Sequence, residues 1–209
     1  MPKEKLGFEA LLKYIPEASF DKVVAYIKQY KVQFTIARDR KTLLGNYQYR
    51  TSDNLHRISI NGGLNKYSFL ITFIHELAHL LTLMQYKNKV EPHGREWQSC
   101  YSTLLEEFLQ LPIFMPDLVV AIRKMQHKPG AGTSAEPELM KALSKYDDNP
   151  HNLVFVEQVP INSIFITEDG KQFTKGVKQR TRHVAVDVIT RRHYLFNGLH
   201  KVKLADSKK

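Results

Sequence analysis

One stretch of the chain, FLITFIHELAHLLTLMQ at residues 69–85, restricts the possible folds more than any other. Its apolar residues are dense enough for a buried helix, yet His75, Glu76 and His79 interrupt them. An uncompensated carboxylate in such a helix costs free energy, and a bound dication offsets that cost. The stretch therefore predicts a core helix, at about 66–86, that carries a metal site.

The spacing of the three ionisable residues indicates their roles. Residues four apart on a helix share a face, so His75 and His79 can both reach one ion at the Zn–N distance of about 2.0–2.1 Å. Glu76 is turned by about 100° around the helix axis, which suits a general base acting on water better than a ligand. The alternative is a pair of core histidines that happen to lie near a glutamate.

A catalytic zinc ion needs three protein ligands and one open position, so a third ligand is expected downstream. His93, in EPHGREW, is the leading candidate, and Gly94 is expected to let the backbone turn close to the site. Glu91 and Glu96 are the alternatives. His56 is expected at the surface. The remaining histidines have no ligand spacing and are assigned no site: His127, His151, His183, His193 and His200.

The single cysteine, Cys100, excludes a disulfide within the chain and a cysteine-rich zinc site. It is expected to be a small buried residue of a helix. Any metal must therefore be held by histidines and carboxylates.

Hydrophobic periodicity predicts an α+β chain with two domains, 1–148 and 149–209. Residues 8–30 are predicted as helix interrupted at Pro16. Strands are predicted at 32–38, 43–50 and 56–61, the last of them edge-like. Further helices are expected at 94–110, 115–125 and 137–146, with a linker at 128–137. Beyond 147–152 short alternating runs predict a small β module, in the segments 153–159, 163–167, 171–177, 183–190 and 193–199.

The charge distribution favours a polyanionic partner. The chain has a net charge of +10, and residues 150–209 carry 11 basic against 5 acidic residues. DNA is the expected partner, with a basic soluble surface as the alternative. The candidate phosphate contacts, presented as a stripe along the strands, are Lys171, Lys175, Lys178, Arg180, Arg182, Arg191 and Arg192. Phe173, Tyr194 and Phe196 are expected to be core residues rather than stacking platforms for bases.

The start of the chain, MPKEKLGFEALL, lacks the apolar core of a signal peptide. No apolar run approaches the roughly 20 residues that span a bilayer. The expectation is a soluble, cytoplasmic protein without a membrane partner, with the nucleoid as one place of action.

HELAH at 75–79, followed by HGREW at 93–97 and preceded by RISIN at 57–61, resembles the SprT-like zinc metallopeptidases, which include the Spartan DNA–protein crosslink proteases. The resemblance covers residues 20–110. It implies a small zincin-type domain in which a three-stranded sheet lies against the active-site helix. It also implies that His75, His79 and His93 bind one catalytic zinc ion, that Glu76 is catalytic, and that the substrates are proteins or peptides attached to DNA.

The tail departs from the family pattern. Many SprT-like proteins end in a zinc ribbon with paired cysteines, whereas this tail has a similar β-rich run without cysteine. It is expected to be a ribbon-like module without metal or a different small β module. Two other functions stay open: a DNA-binding protein with a structural or vestigial zinc site, and a peptidase without a nucleic-acid role. Arg95 and Tyr101 are candidates by position for stabilising the oxyanion.

Overall fold

A computed structural model describes residues 7–38, 43–126, 137–148 and 153–205. The chain divides into two compact units, Met1–Asp147 and Asp148–Lys209. The predicted linker lies outside the described residues, except for Pro137, which begins a helix. The α+β class is confirmed, with a three-stranded sheet and helices in the first unit and a six-stranded sheet in the second.

The sheet of the first unit consists of β1 (Gln33–Ala37), β2 (Gly45–Arg50) and β3 (Leu55–Asn61). The strand order is β1-β3-β2, with β3 parallel to β1 and antiparallel to β2. The prediction of β3 as edge-like is wrong, because it is the central strand and buries Ile58 and Ile60 completely. Strand β2 is the outer strand that pairs antiparallel with β3.

The α-helices in the described part of this unit are α1 (Phe20–Gln29), α2 (Lys66–Tyr86), α3 (Arg95–Leu109), α4 (Pro116–Gln126) and α5 (Pro137–Ser144). The segment predicted as helix before Pro16 is instead a 3-10 helix, Phe8–Lys13, and a second short 3-10 helix, Glu17–Ser19, follows the proline. Pro16 itself is extended and lacks the N–H that a continuous helix requires.

The start of α2 is fixed by the side chain of Asn65, whose oxygen accepts hydrogen bonds from Tyr67 N at 3.1 Å and Ser68 N at 2.9 Å. The helix then runs through the core of the first unit, where Phe69, Leu70 and Ile74 are fully buried. By length and composition alone, α2 is also apolar enough to pass as a membrane-spanning helix, although 61% of its most apolar window is buried within the protein.

The second unit is an antiparallel sheet of β4 (Leu153–Phe155), β5 (Ile164–Ile166), β6 (Gln172–Gln179), β7 (Arg182–Asp187), β8 (His193–Asn197) and β9 (Lys201–Leu204). The strand order is β4-β9-β5-β6-β7-β8. Strand β9 was not predicted from the sequence. The small core contains Val156, Val159, Phe165, Phe173, Ala185 and Val202.

Candidate metal centre

Helix α2 presents His75 and His79 on one face, one turn apart, as the spacing predicts. Both imidazoles are half-buried, and their neighbours Ile74, Leu77 and Ala78 are buried in the core. The backbone that carries the two rings is therefore held by packing on both sides of the helix. Rigid support of this kind preserves the geometry of a binding site without a ligand in place.

His93 reaches the same place from the turn before α3. Its backbone is left-handed, with φ 58°, and its carbonyl oxygen accepts a hydrogen bond of 2.9 Å from Gln98 Nε2. The turn was predicted to depend on Gly94, but Gly94 has φ −67° and precedes α3 in an extended conformation. Glycine is needed there for space, because an added Cβ would lie 2.9 Å from the Glu91 carbonyl oxygen.

The three imidazoles converge on one point. His75 Nε2 lies 3.3 Å from His79 Nε2 and 3.2 Å from His93 Nε2, and all three donor atoms lie within 4.8 Å of one another. Two nitrogens bound to one tetrahedral zinc ion at 2.0–2.1 Å lie about 3.3–3.4 Å apart. The donor set and its spacing therefore fit zinc. Neither Glu91 nor Glu96 belongs to this group.

The electrostatics of the cluster keep the imidazoles neutral. Burial lowers the pKa of His75 to about 3, helped by His79 and His93, and burial lowers the pKa of His79 to about 4, helped by His93. Burial also lowers the pKa of His93. Histidine must be unprotonated to bind a metal, so three neutral rings facing one another are ready to do so at neutral pH.

The indole ring of Trp97, on α3, packs against the imidazoles of all three ligand candidates. Its indole is 1% exposed, and its ring centroid lies 4.8 Å from that of His75, 5.2 Å from His79 and 4.6 Å from His93. Tyr101, one turn further along α3, stacks on Trp97 at 4.9 Å. Because one rigid side chain touches all three imidazoles, their relative orientation depends on its position. The sequence places Trp97 in the motif and on the apolar face of the predicted helix, but it does not predict the contact with the imidazoles.

Glu76 is not part of this donor group, and its side chain lies against β2. The residue is 7% exposed, and the backbone N–H of Tyr47 donates a hydrogen bond to its carboxylate. Burial raises the pKa of Glu76 to about 7, while the Tyr47 hydrogen bond lowers it. A carboxyl group in this range can both accept and release a proton near neutral pH. The contact with β2 could not be predicted from the sequence.

The two positional candidates for stabilising an oxyanion receive no support. Arg95 is exposed at the start of α3. Tyr101 is 3% exposed, and its ring lies 5.7 Å from that of His75. We assign neither residue this role.

The other histidines within the described residues lie outside the cluster. His56 is half-buried rather than at the surface, because Tyr47 Oη lies 2.8 Å from its Nδ1 and the Tyr49 ring packs 5.0 Å away. His183 is buried, whereas His193 and His200 are exposed. The predictions for His127 and His151 concern residues outside the described part of the chain.

The basic side chains of the second unit do not form one stripe. Lys175 is 3% exposed and donates to the Val159 carbonyl oxygen at 3.3 Å, so it cannot belong to an exposed phosphate-binding surface. Its burial follows from strand alternation, which places it on the same face as Phe173. Phe173 is itself buried and Phe196 packs against the same core, as predicted, whereas Tyr194 is 42% exposed.

The six other basic residues are exposed and form two groups of three at opposite ends of the antiparallel strands. Lys171, Arg191 and Arg192 lie where β6 and β8 begin, and Lys171 Nζ is 2.8 Å from Asp169 Oδ2. Lys178, Arg180 and Arg182 lie at the other end, around the turn between β6 and β7. The length of β6 separates the two groups by about 20 Å.

The comparisons with known proteins agree with the motif. Searches of curated proteins and of solved structures found no match. A profile of the SprT-like family matches residues 8–116, which include the three-stranded sheet, helix α2 and all of the three-histidine cluster. The match spans more than half of the chain, and the protein belongs to the SprT-like family.

Proposed function

We propose that the protein is a zinc-dependent endopeptidase that acts on proteins associated with or crosslinked to DNA inside the cell. The observation that carries the peptidase activity is the convergence of three neutral imidazoles at zinc-like spacing, with Glu76 following the first of them on the same helix. His75, His79 and His93 would hold the ion, which supplies Lewis acidity when bound.

Glu76 is the general base and acid in this proposal. It takes a proton from the attacking water and later gives it to the leaving amine. Its pKa of about 7 suits both directions of transfer. The residue lies outside the group of donor atoms and its carboxylate accepts a hydrogen bond from the Tyr47 N–H, which leaves it for proton transfer rather than for metal binding.

The substrate reaches this site along β2. Within the described residues β2 pairs only with β3, and on its other side the Tyr47 N–H donates to Glu76, so the remaining main-chain groups of that side are offered to an extended peptide. Strand addition of this kind binds peptides mainly through backbone hydrogen bonds and tolerates many sequences. Glu76 lies against this same strand, which brings a peptide aligned on β2 close to the proposed base.

The exposed basic groups of the second unit support the DNA part of the proposal. Each end of the sheet carries three cationic side chains, enough for a few phosphate contacts at each end. A DNA-binding protein with a structural zinc site is the second candidate, favoured by the same charges. A structural site requires a fourth protein ligand, and no fourth histidine, cysteine or carboxylate joins the cluster among the described residues.

A cleavage assay with metal analysis tests the proposal. Zinc-loaded wild-type protein should cleave a DNA-bound protein substrate faster when DNA is present, and added salt should reduce this stimulation because it weakens phosphate contacts. Glu76→Gln should keep one zinc ion per chain and lose cleavage. Wild-type protein that binds zinc but cleaves no protein, with or without DNA, would favour the structural-site candidate.

A further inference from the structure

We propose that the backbone of β2 at Gly45 and Tyr47 positions the Glu76 carboxylate, so that Gly45 is required for turnover but not for metal binding. The proposal rests on the proposed peptidase activity and adds a positioning residue to it. Neither Gly45 nor Tyr47 belongs to the HELAH or HGREW motif.

Gly45 faces the helix that carries the site, and space for a side chain is missing there. A Cβ built on Gly45 would lie 2.5 Å from Thr72 Cγ2, 2.8 Å from Glu76 Oε1 and 3.1 Å from Glu76 Cγ. These are the three nearest heavy atoms, and two of them belong to Glu76. Any larger residue must therefore displace Glu76, Thr72 or the strand.

The reason for glycine at this position is space and not backbone conformation. Within the described residues the only glycine with positive φ is Gly170, so the backbone of Gly45 is one that other residues can adopt. Gly45 pairs with Ile60 of the central strand. The close approach of the strand to Thr72 and to the Glu76 carboxylate is the feature that excludes a side chain.

Tyr47 completes the contact two residues along the same strand. Its backbone N–H donates a hydrogen bond to the Glu76 carboxylate, which is otherwise buried. One side of the carboxylate is thus limited by Gly45 and another is held by Tyr47 N. A group fixed by the backbone of a paired strand has little rotational freedom, and such preorganisation matters because misplacement of about 1 Å can cost about 100-fold in rate.

The imidazoles do not share this support. They are held by α2, by the turn at His93 and by Trp97, as described above. The chain therefore supports the base and the ligands through different elements, and a change at Gly45 is expected to leave metal binding intact.

The double substitution Gly45→Ala with Thr72→Ser isolates the contact with Glu76. Serine removes Thr72 Cγ2, the closest atom, and keeps the hydroxyl that donates to the Ser68 carbonyl oxygen at 2.7 Å. The remaining conflict is then between the new Cβ and Glu76. We expect kcat to fall about 100-fold, while KM and the zinc content stay unchanged.

Two matched variants control for general damage to the sheet and the helix. Thr72→Ser alone should keep wild-type kcat. Thr35→Ala alters a side chain of β1 that lines a polar hollow on the other face of the sheet with Gln33 and Ser59, and it should also keep kcat. Wild-type kcat in the double variant, or an equal loss in Thr35→Ala, would overturn the proposal.

A crystal structure of the double variant distinguishes this proposal from the proposed activity. Displacement of the Glu76 carboxylate by about 1 Å or more, with the three imidazoles in place, would support the positioning role even if the wild-type protein shows no peptidase activity. A carboxylate that remains on Tyr47 N beside the new methyl group would overturn it, whatever the activity.

Discussion

The two units both bury ionisable side chains, but among the described residues only those of the first unit converge on a common point. In the first unit Nε2 of His75 lies 3.3 Å from Nε2 of His79 and 3.2 Å from Nε2 of His93. In the second unit His183 is buried, and neither of its ring nitrogens has a hydrogen-bond partner among the described residues. Burial alone perturbs both sets of imidazoles, so convergence of the donor atoms is what distinguishes a metal site.

The charges around the three clustered histidines and around His183 differ as well. The first cluster contains only neutral imidazoles beside Trp97, whereas Lys175 and Lys178 lower the pKa of His183 in addition to burial, and Glu157 raises it. A cation is therefore disfavoured beside His183 and accommodated between the other three rings. Substitutions at matched positions in the two units test this difference.

The largest difference between the two units is expected in kcat when a carboxylate of each is replaced. Glu76→Gln should lower kcat by about 100- to 10,000-fold, because an amide cannot transfer the proton, and zinc should remain bound. Glu157→Gln, beside His183 in the second unit, should leave kcat unchanged. Steady-state kinetics with zinc analysis measures both. Comparable losses in the two variants would contradict the assignment of the active site to the first unit.

The next difference concerns zinc affinity. His93→Ala removes one of three ligands and should weaken zinc binding by at least about 100-fold, since loss of even an outer-shell partner costs 10- to 100-fold. His183→Ala should have no effect. Trp97 is the only tryptophan of the chain and touches all three imidazoles, so its fluorescence should report the titration. Equal affinities in wild type and His93→Ala would remove His93 from the site.

DNA binding should depend on the exposed cations and not on the buried one. Replacing Arg180 and Arg182 with Gln should reduce the slope of log K against log salt by about 2, one for each lost phosphate contact. Lys175→Met should leave the slope unchanged, because its ammonium group is buried against Val159. Binding isotherms at several salt concentrations test this pair, and a larger effect of Lys175 would contradict the burial of its side chain.

The smallest expected effect is a pH dependence of the folding stability of the second unit. Burial lowers the pKa of His183 in the folded state, so folding favours the neutral ring. The resulting stability is present above the ordinary imidazole pKa of 6.5 and is lost as pH falls below it towards the folded pKa. Hydrogen exchange of the β6 and β7 amides, corrected for intrinsic rates, should show reduced protection at low pH in wild type. His183→Leu should abolish this dependence; its persistence would assign the effect to another group.

The sequence predicts most of the first unit because its elements carry strong local patterns. The helix predicted at about 66–86 is observed as Lys66–Tyr86, and the i, i+4 histidines lie on one face as expected. Strand β9 was missed because KVKL is short and mostly exposed, and its place depends on distant pairing with β4 and β5. Local periodicity contains no information about such partners.

The ligand candidates were predictable from motif spacing, whereas the support of Glu76 was not. The contact of Gly45 and Tyr47 with Glu76 joins residues about 30 positions apart through the packing of β2 on α2. The turn at His93 was misjudged for a similar reason, since nothing in the sequence indicates that a histidine beside a glycine takes the left-handed conformation. The burial of Lys175, in contrast, could have been predicted from strand alternation with Phe173.

The most direct test of the metal centre is a crystal structure of the zinc-loaded protein with anomalous data collected at the zinc edge. The geometry predicts one anomalous peak at about 2.0–2.1 Å from Nε2 of His75, His79 and His93, with no fourth protein ligand. A stoichiometric zinc ion bound elsewhere, or three imidazoles that turn away from one another in the presence of excess zinc, would contradict it.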